Sequence, residues 1–495
     1  MDSTAETRQL ESAPVGRLLL RHSLPAICGS LVGATYNIVD RIFVGWRFGH
    51  DGIAAVTLSF PVMLILLAIG MMIGVGSNTL ISIRLGEKNK EEAERILGQA
   101  IFLFAVLSLS FTVFGLTFLD PLLRLFGANE KVLPPARSFL AVIIAGAFFQ
   151  PFSFGVNSFL RGEGKPRIAM ITMLISAFVN IILDWFFLFV LRTDIWGAAL
   201  ATVIAQAAAV AWITWYYLSG KALLKWRLRF IRFDRRLAWT VLSIGFPPFV
   251  MQGAACVLQG VQNHQLGHYG NAFGTAHGIE DGGNLAISVM GILFTVFMLF
   301  LLPLLGIGQG LQPIAGYNTG AKQYYRVKRA LSLACLSGLL FSLVLLLIVQ
   351  AMPGLFISPF IDPQSPMKPM LMQLGAHAIR IFASLLPCVA VLVIVSGYFQ
   401  AIGHTVLALI LTLTRQVFLL IPFLFLLPPM FGHFGWLPGL DGIWFAHPLS
   451  DLATFFLALH LLIREYQRLK KLAAADHEPP ATRKAQPNEK RVGTV

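Results

Sequence analysis

Twelve runs of about 20 or more mostly apolar residues fill this 495-residue chain, and they leave little choice of fold. Roughly 20 residues in a helix cross the hydrocarbon core of a bilayer, so each run is long enough to span it. Inside hydrocarbon, backbone amides must be satisfied within the segment or around a closed barrel. Here the runs are continuous rather than alternating, which selects helices over barrel strands. Their cores lie near 18–46, 53–83, 96–119, 136–160, 168–191, 196–218, 239–265, 284–315, 328–352, 374–400, 405–428 and 442–463. The chain is 56% hydrophobic and only 13% charged, where soluble domains carry about 25% charged residues. It reads as an all-α polytopic membrane protein.

Lysine and arginine set the expected orientation. With the N-terminus inside, the cytoplasmic segments hold 29 basic residues and the outer segments 6, so both termini are expected in the cytoplasm. The membrane is then a plasma membrane, or the inner membrane of a Gram-negative cell. The net charge of +14 follows from this topology and from attraction to anionic lipid, and calls for no nucleic-acid partner. The expected divisions are a cytoplasmic segment 1–14, a first lobe 15–220, a basic amphipathic connector 221–237 lying on the membrane surface, a second lobe 238–465, and a disordered tail 466–495. Because no clean cleavage site follows the polar first 14 residues, the first apolar run is expected to be a span rather than a signal peptide. Cys28, Cys256, Cys335 and Cys388 lie in apolar runs without metal-ligand spacing and read as packing residues.

The two halves repeat. An offset of 234 places Gly74 on Gly308, Gly76 on Gly310, Gly86 on Gly320 and Lys88 on Lys322. Leu24-Pro25 likewise matches Phe246-Pro247, Ser158 to Gly164 matches Gly397 to Gly403, and Gly197 to Gln206 matches Gly442 to Asp451. Six spans per half is an even number, so both halves insert in the same direction, as in transporters with parallel repeats. Two six-helix lobes would then enclose a central cleft, and rocking them would give alternating access.

Of the 24 acids only Asp40, Asp184 and Asp451 lie securely within spans. An ionised Asp at the centre of a spanning helix costs about 2.5–3.5 kcal/mol on insertion scales, so such a residue faces a bundle interior or an aqueous cavity. Asn37 precedes Asp40 by three residues and Asn180 precedes Asp184 by four, which puts each amide on its acid's face. Counted from the outer ends, both acids sit roughly 12–14 Å deep. Thr202 and Gln206 on the sixth span offer polar groups over the same depth. Two neighbouring carboxyls in a poor dielectric cannot both ionise cheaply, so such a pair holds a proton that substrate or lobe motion can release. The plainer alternative is that these acids only hydrogen-bond neighbouring helices.

The second half does not reproduce the acids. Gln262 replaces Asp40, Gln259 replaces Asn37, Gln252 replaces Ser30 and Phe423 replaces Asp184. These glutamines are candidates for substrate contact, as are Gln206, Phe149 and Phe152, although packing is the better explanation of any one aromatic residue in a chain with 40 Phe. Arg415 and Asp451 are expected to form an ion pair that is structural first, each charge offsetting the burial cost of the other. Arg41, close to an outer end, is expected to snorkel or pair locally.

The patterns Asn37-Ile-Val-Asp40-Arg-Ile-Phe-Val-Gly45, Gly306 to Lys322 and Asp441 to Asp451 resemble those of the multidrug and toxic compound extrusion (MATE) family over about residues 15–465. The resemblance implies cation-coupled export of amphipathic, often cationic, organic compounds, coupled to protons with sodium as the alternative ion. It also implies an ion site on the first and fifth helices at Asp40, Asn180 and Asp184. A flippase for lipid-linked saccharides and a non-transporting receptor or channel scaffold are the competing readings. No phosphate-binding loop occurs, so direct ATP coupling is not expected, and neither a cofactor nor a metal is expected, a metal site at the histidines and acids of the outer insertion being the less favoured alternative to a plain polar loop. A net insertion of about 12 residues, holding His268, His277, Glu280 and Asp281, is expected to be an irregular polar loop on the outside.

Overall fold

Every regular element among the described residues (10–126, 132–278, 282–361, 368–433 and 439–475) of the computed structural model is a helix. Ten helices are long and apolar enough to cross a membrane, and two bent pairs bring the spans to twelve. They are α1 Val15–Phe48, α2 Ala55–Gly86, α3 Lys90–Thr117, α4 Leu133–Ala145 with Phe149–Gly162, α5 Pro166–Val190, α6 Trp196–Leu218, α7 Arg235–Ala276, α8 Leu285–Gly320, α9 Tyr324–Ala351, α10 Lys368–Phe382 with Leu386–Ala401, α11 Thr405–Phe431 and α12 Gly439–Ala474. The bends in α4 and α10 measure 46° and 51°. Pro151 and Pro387 stand in the first turn after each bend, where a missing N–H and a clashing ring do least harm.

Helical hydrogen bonding runs unbroken from Val15 to Gly86, where the sequence suggested a gap near residues 47–52. A straight helix of this length would be roughly 110 Å long. Instead the amide of Asn318 donates to the Leu10 carbonyl at 3.2 Å, while Gly86 packs on the backbone of Tyr317. Both ends of the α1–α2 pair thus meet one helix end, so the chain folds back between the two spans.

The core is forked. One cluster joins Leu18, Ile73 and Val156 of the first half to Leu311, Val327 and Val395 of the second. Beyond it the halves have separate cores, built on Val44, Val62 and Leu140 in one and on Leu266, Val289 and Trp444 in the other. The halves therefore close on each other at the end that carries the connector and part towards the opposite end. Backbone contact makes the closure tight: a Cβ on Gly245 would collide with the Met72 carbonyl oxygen.

Matched positions of the repeat share conformations. Lys88 and Lys322 are left-handed at φ 61° and 59°, as are Gly164 and Gly403 at 81° and 84°. After α2 and α8 the same pair of bonds ends the helix, Asn89 N–H to Arg84 O at 2.9 Å and Gln323 N–H to Asn318 O at 2.8 Å. Matching residues were thus matched for backbone reasons, which is why the repeat is legible through glycines and turns rather than through acids.

Three expectations are corrected. The insertion is not an irregular loop in its first part: helix continues from Arg235 to His277, and Gly278 at φ 70° ends it. Asn271 Oδ1 then accepts the Gly283 N–H at 2.8 Å, tying the helix to the start of the next. His268 packs edge-on to Tyr269, whereas Glu280, Asp281 and the His277 side chain lie outside the described residues. At the other end of the chain, helix continues to Ala475, so the first ten residues assigned to the tail are ordered helix; residues 476–495 lie outside the described residues. Tyr466 and Glu465 anchor this extension on Ser332 and Tyr398.

The connector is the third correction. Only Leu228–Phe230 forms a 3₁₀ turn, and Leu223 and Leu224 are buried in the protein rather than laid on lipid. The reason is a row of acceptors at the ends of α3 and α4. Glu163 accepts the Tyr217 hydroxyl at 2.6 Å and the Leu223 N–H at 3.1 Å. Glu94 accepts the Lys225 N–H at 3.2 Å and pairs with Arg227, and Gln99 accepts the Asp234 N–H at 2.9 Å. Glu163 lies in the turn beyond α4, and burial pushes its carboxyl up to about 7 against the opposing pull of its hydrogen bonds and of Lys165. The folded state therefore binds more protons than the unfolded state between pH 4.5 and about 7. Stability should rise as pH falls through that window, by roughly 3 kcal/mol in full, and stay level above it. Thermal melting of the wild type and of Glu163→Gln from pH 8 to 5 checks this: the wild type should gain on the variant as pH falls, and parallel curves would contradict it.

Candidate functional site

Asp40 on α1 and Asp184 on α5 are brought together with their carboxyls facing one another, within reach of a hydrogen bond if one of them carries a proton. Asp184 is fully buried. Both of its oxygens and Oδ1 of Asp40 meet no donor among the described residues. One turn back, Asn180 is also buried; its Nδ2 points to Thr202 Oγ1 at 3.5 Å, and its Oδ1 too lacks a donor. Thr202 spends its own proton on the Ala198 carbonyl at 3.1 Å. The side chain of Asn37 lies outside the described residues. What remains is a cluster of oxygen acceptors with no donor among the described residues. Buried acceptors without donors are expensive, so the arrangement calls for a proton or a cation bound by oxygen.

Local helix geometry contributes. Immediately after Trp185 the chain widens into a π-helical turn over Phe186–Val190, a distortion often found at functional sites. Arg415, in the matching helix of the second half, lies in the π-helical segment Thr414–Leu420. Neither distortion has a signature that sequence reading could use. Arg41 lies against the Phe60 ring at 5.5 Å, a local contact of the kind expected.

A cavity of about 210 Å³ opens in the first half, bordered by Tyr36 of α1, Gln150, Asn157 and Arg161 of α4, Ser176 of α5 and Gln206 of α6. Gln309 of α8 also reaches it, the one lining residue from the second half. Of the six candidate substrate contacts, only Gln206 borders this cavity. Phe152 is buried between Phe104, Phe148 and Trp226, and Phe149 packs on Phe148. Gln259 is exposed, Gln252 is half-buried, and Gln262 is buried with neither amide atom partnered among the described residues. The polar stripe on α4, Gln150, Ser153, Asn157 and Arg161, was missed. Its spacing of three and four residues, which keeps these side chains on one helix face, was the available signal.

In the second half, Arg415 Nε lies 2.5 Å from Asp451 Oδ1, with Asp451 buried and Arg415 partly so. Nearer the chain's open end, His377 Nε2 meets Asp441 Oδ1 at 3.1 Å. Asp441 and Asp451 each have a partner, whereas both oxygens of Asp184 and Oδ1 of Asp40 have no hydrogen-bond donor among the described residues.

Twelve spans, an internal repeat, a forked core and a buried acceptor cluster fit the architecture of a membrane transporter. Comparison with known proteins gives the family: the MatE family description matches residues 25–186 and 277–426, well over half of the chain, and the chain belongs to that family. It is similar to the multidrug export protein MepA of Staphylococcus haemolyticus (strain JCSC1435), 27% identical over 460 residues that cover 93% of this chain and 96% of the relative. MepA of Staphylococcus aureus (strain MRSA252) is 27% identical over 430 residues, covering 86% and 90%. Among solved structures, an outward-facing multidrug resistance MATE family transporter of the MOP superfamily superposes with a TM-score of 0.84 at 24% identity, covering 94% of this chain and 98% of that one. A MOP superfamily transporter from Pyrococcus furiosus Vc1 (DSM3638) gives 0.83 at 24% identity, with the same coverage.

Proposed function

We propose that this transporter exports small amphipathic organic cations from the cell in exchange for protons, with sodium as the alternative coupling ion. The observation that carries the reading is the facing pair of Asp40 and Asp184, whose buried oxygens lack donors among the described residues. A proton shared by the pair, or a cation held by it with Asn180 and Thr202, satisfies those oxygens; displacing it leaves them unsatisfied. Binding of that ion is therefore tied in free energy to how closely α1 and α5 approach. The names of the MepA relatives support multidrug compounds as the cargo.

The forked core supports alternating access. In this reading, residues 15–220 and 238–465 rock about the cluster they share, the connector 221–237 spans the halves, and the cleft between the two separate cores faces outward. Both termini then face the cytoplasm of a plasma membrane, as the basic residues favour. Gln252, Gln259 and Gln262 would meet cargo from the second half, while Gln206 would meet it in the first. The test is efflux of a fluorescent organic cation from cells overproducing the chain. Efflux should outrun that of control cells and collapse to control levels with a protonophore. Efflux that ignores the protonophore and follows an imposed sodium gradient would replace the proton by sodium, and no efflux under either gradient would remove the reading.

A further inference from the structure

The chain enters α1 through a short turn of helix that the second half holds. Residues 10–12 are helical, and the N–H that would close on the Leu10 carbonyl belongs to position 14, where Pro14 has none. Two side chains of the other half supply the missing donors. Arg326, in the first turn of α9, donates from Nη2 to the Leu10 carbonyl at 3.0 Å and to the Ala13 carbonyl at 2.7 Å. Asn318 of α8 donates from Nδ2 to the Leu10 carbonyl at 3.2 Å, while its Oδ1 accepts the Arg326 Nε–H at 3.1 Å, so each fixes the other. The Tyr317 hydroxyl adds a longer bond of 3.5 Å to Glu11 Oε2. Leu10 itself is 1% exposed and lies in the core that the halves share, with Gly164 of the first half beside its side chain.

The repeat makes the arrangement reciprocal. Arg326 stands 234 residues after Glu92, the offset of the repeat, and along the same first turns of α3 Glu94 accepts the Lys225 N–H and Gln99 the Asp234 N–H. Each half thus holds the segment leading into the other half's first helix, one through acceptors and one through donors. The two holds differ in strength of attachment. The connector is joined covalently to both halves, whereas residues 10–13 reach the second half only through these side-chain bonds and the packing of Leu10. The bonds cross between the halves at the end where the halves close, so they break when that end opens. We propose that residues 10–13 form a latch, with Arg326 as its catch, that holds this end of the transporter shut and sets the balance between its two states. The inference rests on the alternating-access reading above. It concerns the exchange of states rather than the binding of cargo, since no member of the latch borders the first-half cavity.

Distances between spin labels on the full-length chain in lipid nanodiscs test this at both ends. One pair replaces the exposed Lys90 and Arg329, near the starts of α3 and α9; the other replaces Asp194 and Ser358 at the far end, with the four cysteines changed to alanine. The Lys90 to Arg329 distance should be short in nearly all wild-type molecules. Arg326→Gln keeps a polar side chain but loses the charge and the reach, and should raise the ratio of long to short distances about 10-fold, as loss of a charge-assisted bond would give. Leu10→Ser, which leaves the arginine in place and removes the apolar anchor, should raise it as well. The double variant should open no further than the stronger single one, because both changes act on one latch. Unchanged distances in folded Arg326→Gln overturn the proposal, and should that variant fail to fold, unchanged distances in Leu10→Ser do so. Effects that multiply in the double variant overturn it too, since they mark a general loosening. Opening at the latch end without approach of Asp194 to Ser358 would keep the latch and remove alternating access. Opposite movements of the two ends with pH, identical in wild type and variants, would sink the latch and leave alternating access intact.

Discussion

Asp184→Asn is expected to bring drug efflux down to the level of cells lacking the protein while the variant stays folded in the membrane. The expectation follows from the acceptor count. Asp184 is fully buried, and among the described residues its two oxygens and one of Asp40 find no donor, nor does Asn180 Oδ1 one turn away. Asn has the shape of Asp but brings its own N–H₂ group, so it supplies permanently the donor that a proton supplies reversibly. The cluster is then satisfied whatever the ion gradient, and the free energy that linked ion binding to helix approach is gone. Because a buried unsatisfied group is removed rather than created, the variant should melt no lower than the wild type and should run as a single species in size-exclusion chromatography. A residue of purely structural importance would show the opposite pattern, lower melting with efflux retained in whatever protein folds. Normal efflux at normal expression would remove Asp184 from the coupling site.

The spans, their number and the repeat were legible because bilayer thickness and backbone satisfaction act on every residue of a run. So was the level of the two acids, which helical rise gives directly. The connector was misjudged because its basic, amphipathic composition suits a membrane surface as well as it suits the row of buried acceptors at Glu163, Glu94 and Gln99. Those acceptors lie 60 or more residues away in sequence, and nothing local announces them. The same limit explains Arg161: as a basic residue at a span end it counts towards orientation, and only the tertiary structure shows it folded inward. The two π-helical turns, at Phe186–Val190 and Thr414–Leu420, are beyond propensity altogether.

Asp451→Ala should destabilise the protein by about 3–5 kcal/mol, the range for leaving one member of a buried ion pair without its partner. Arg415 retains only 20% side-chain exposure and Asp451 4%, so water cannot replace the lost carboxylate. The double variant Arg415→Met with Asp451→Leu should recover most of that loss, because two apolar side chains of similar bulk remove both desolvation penalties together. Melting of the single and double variants in detergent measures the difference. This separates the halves functionally as well. In the first half, neutralising an acid should cost coupling and spare the fold; in the second, it should cost the fold and spare coupling once the arginine is removed with it. Substrate-induced proton release from the purified double variant should therefore persist. Were release to survive loss of both Asp40 and Asp184 yet vanish in the double variant, the coupling site would belong to the second half, and the partnerless carboxyls of the first would have to be explained as a water-filled structural cluster.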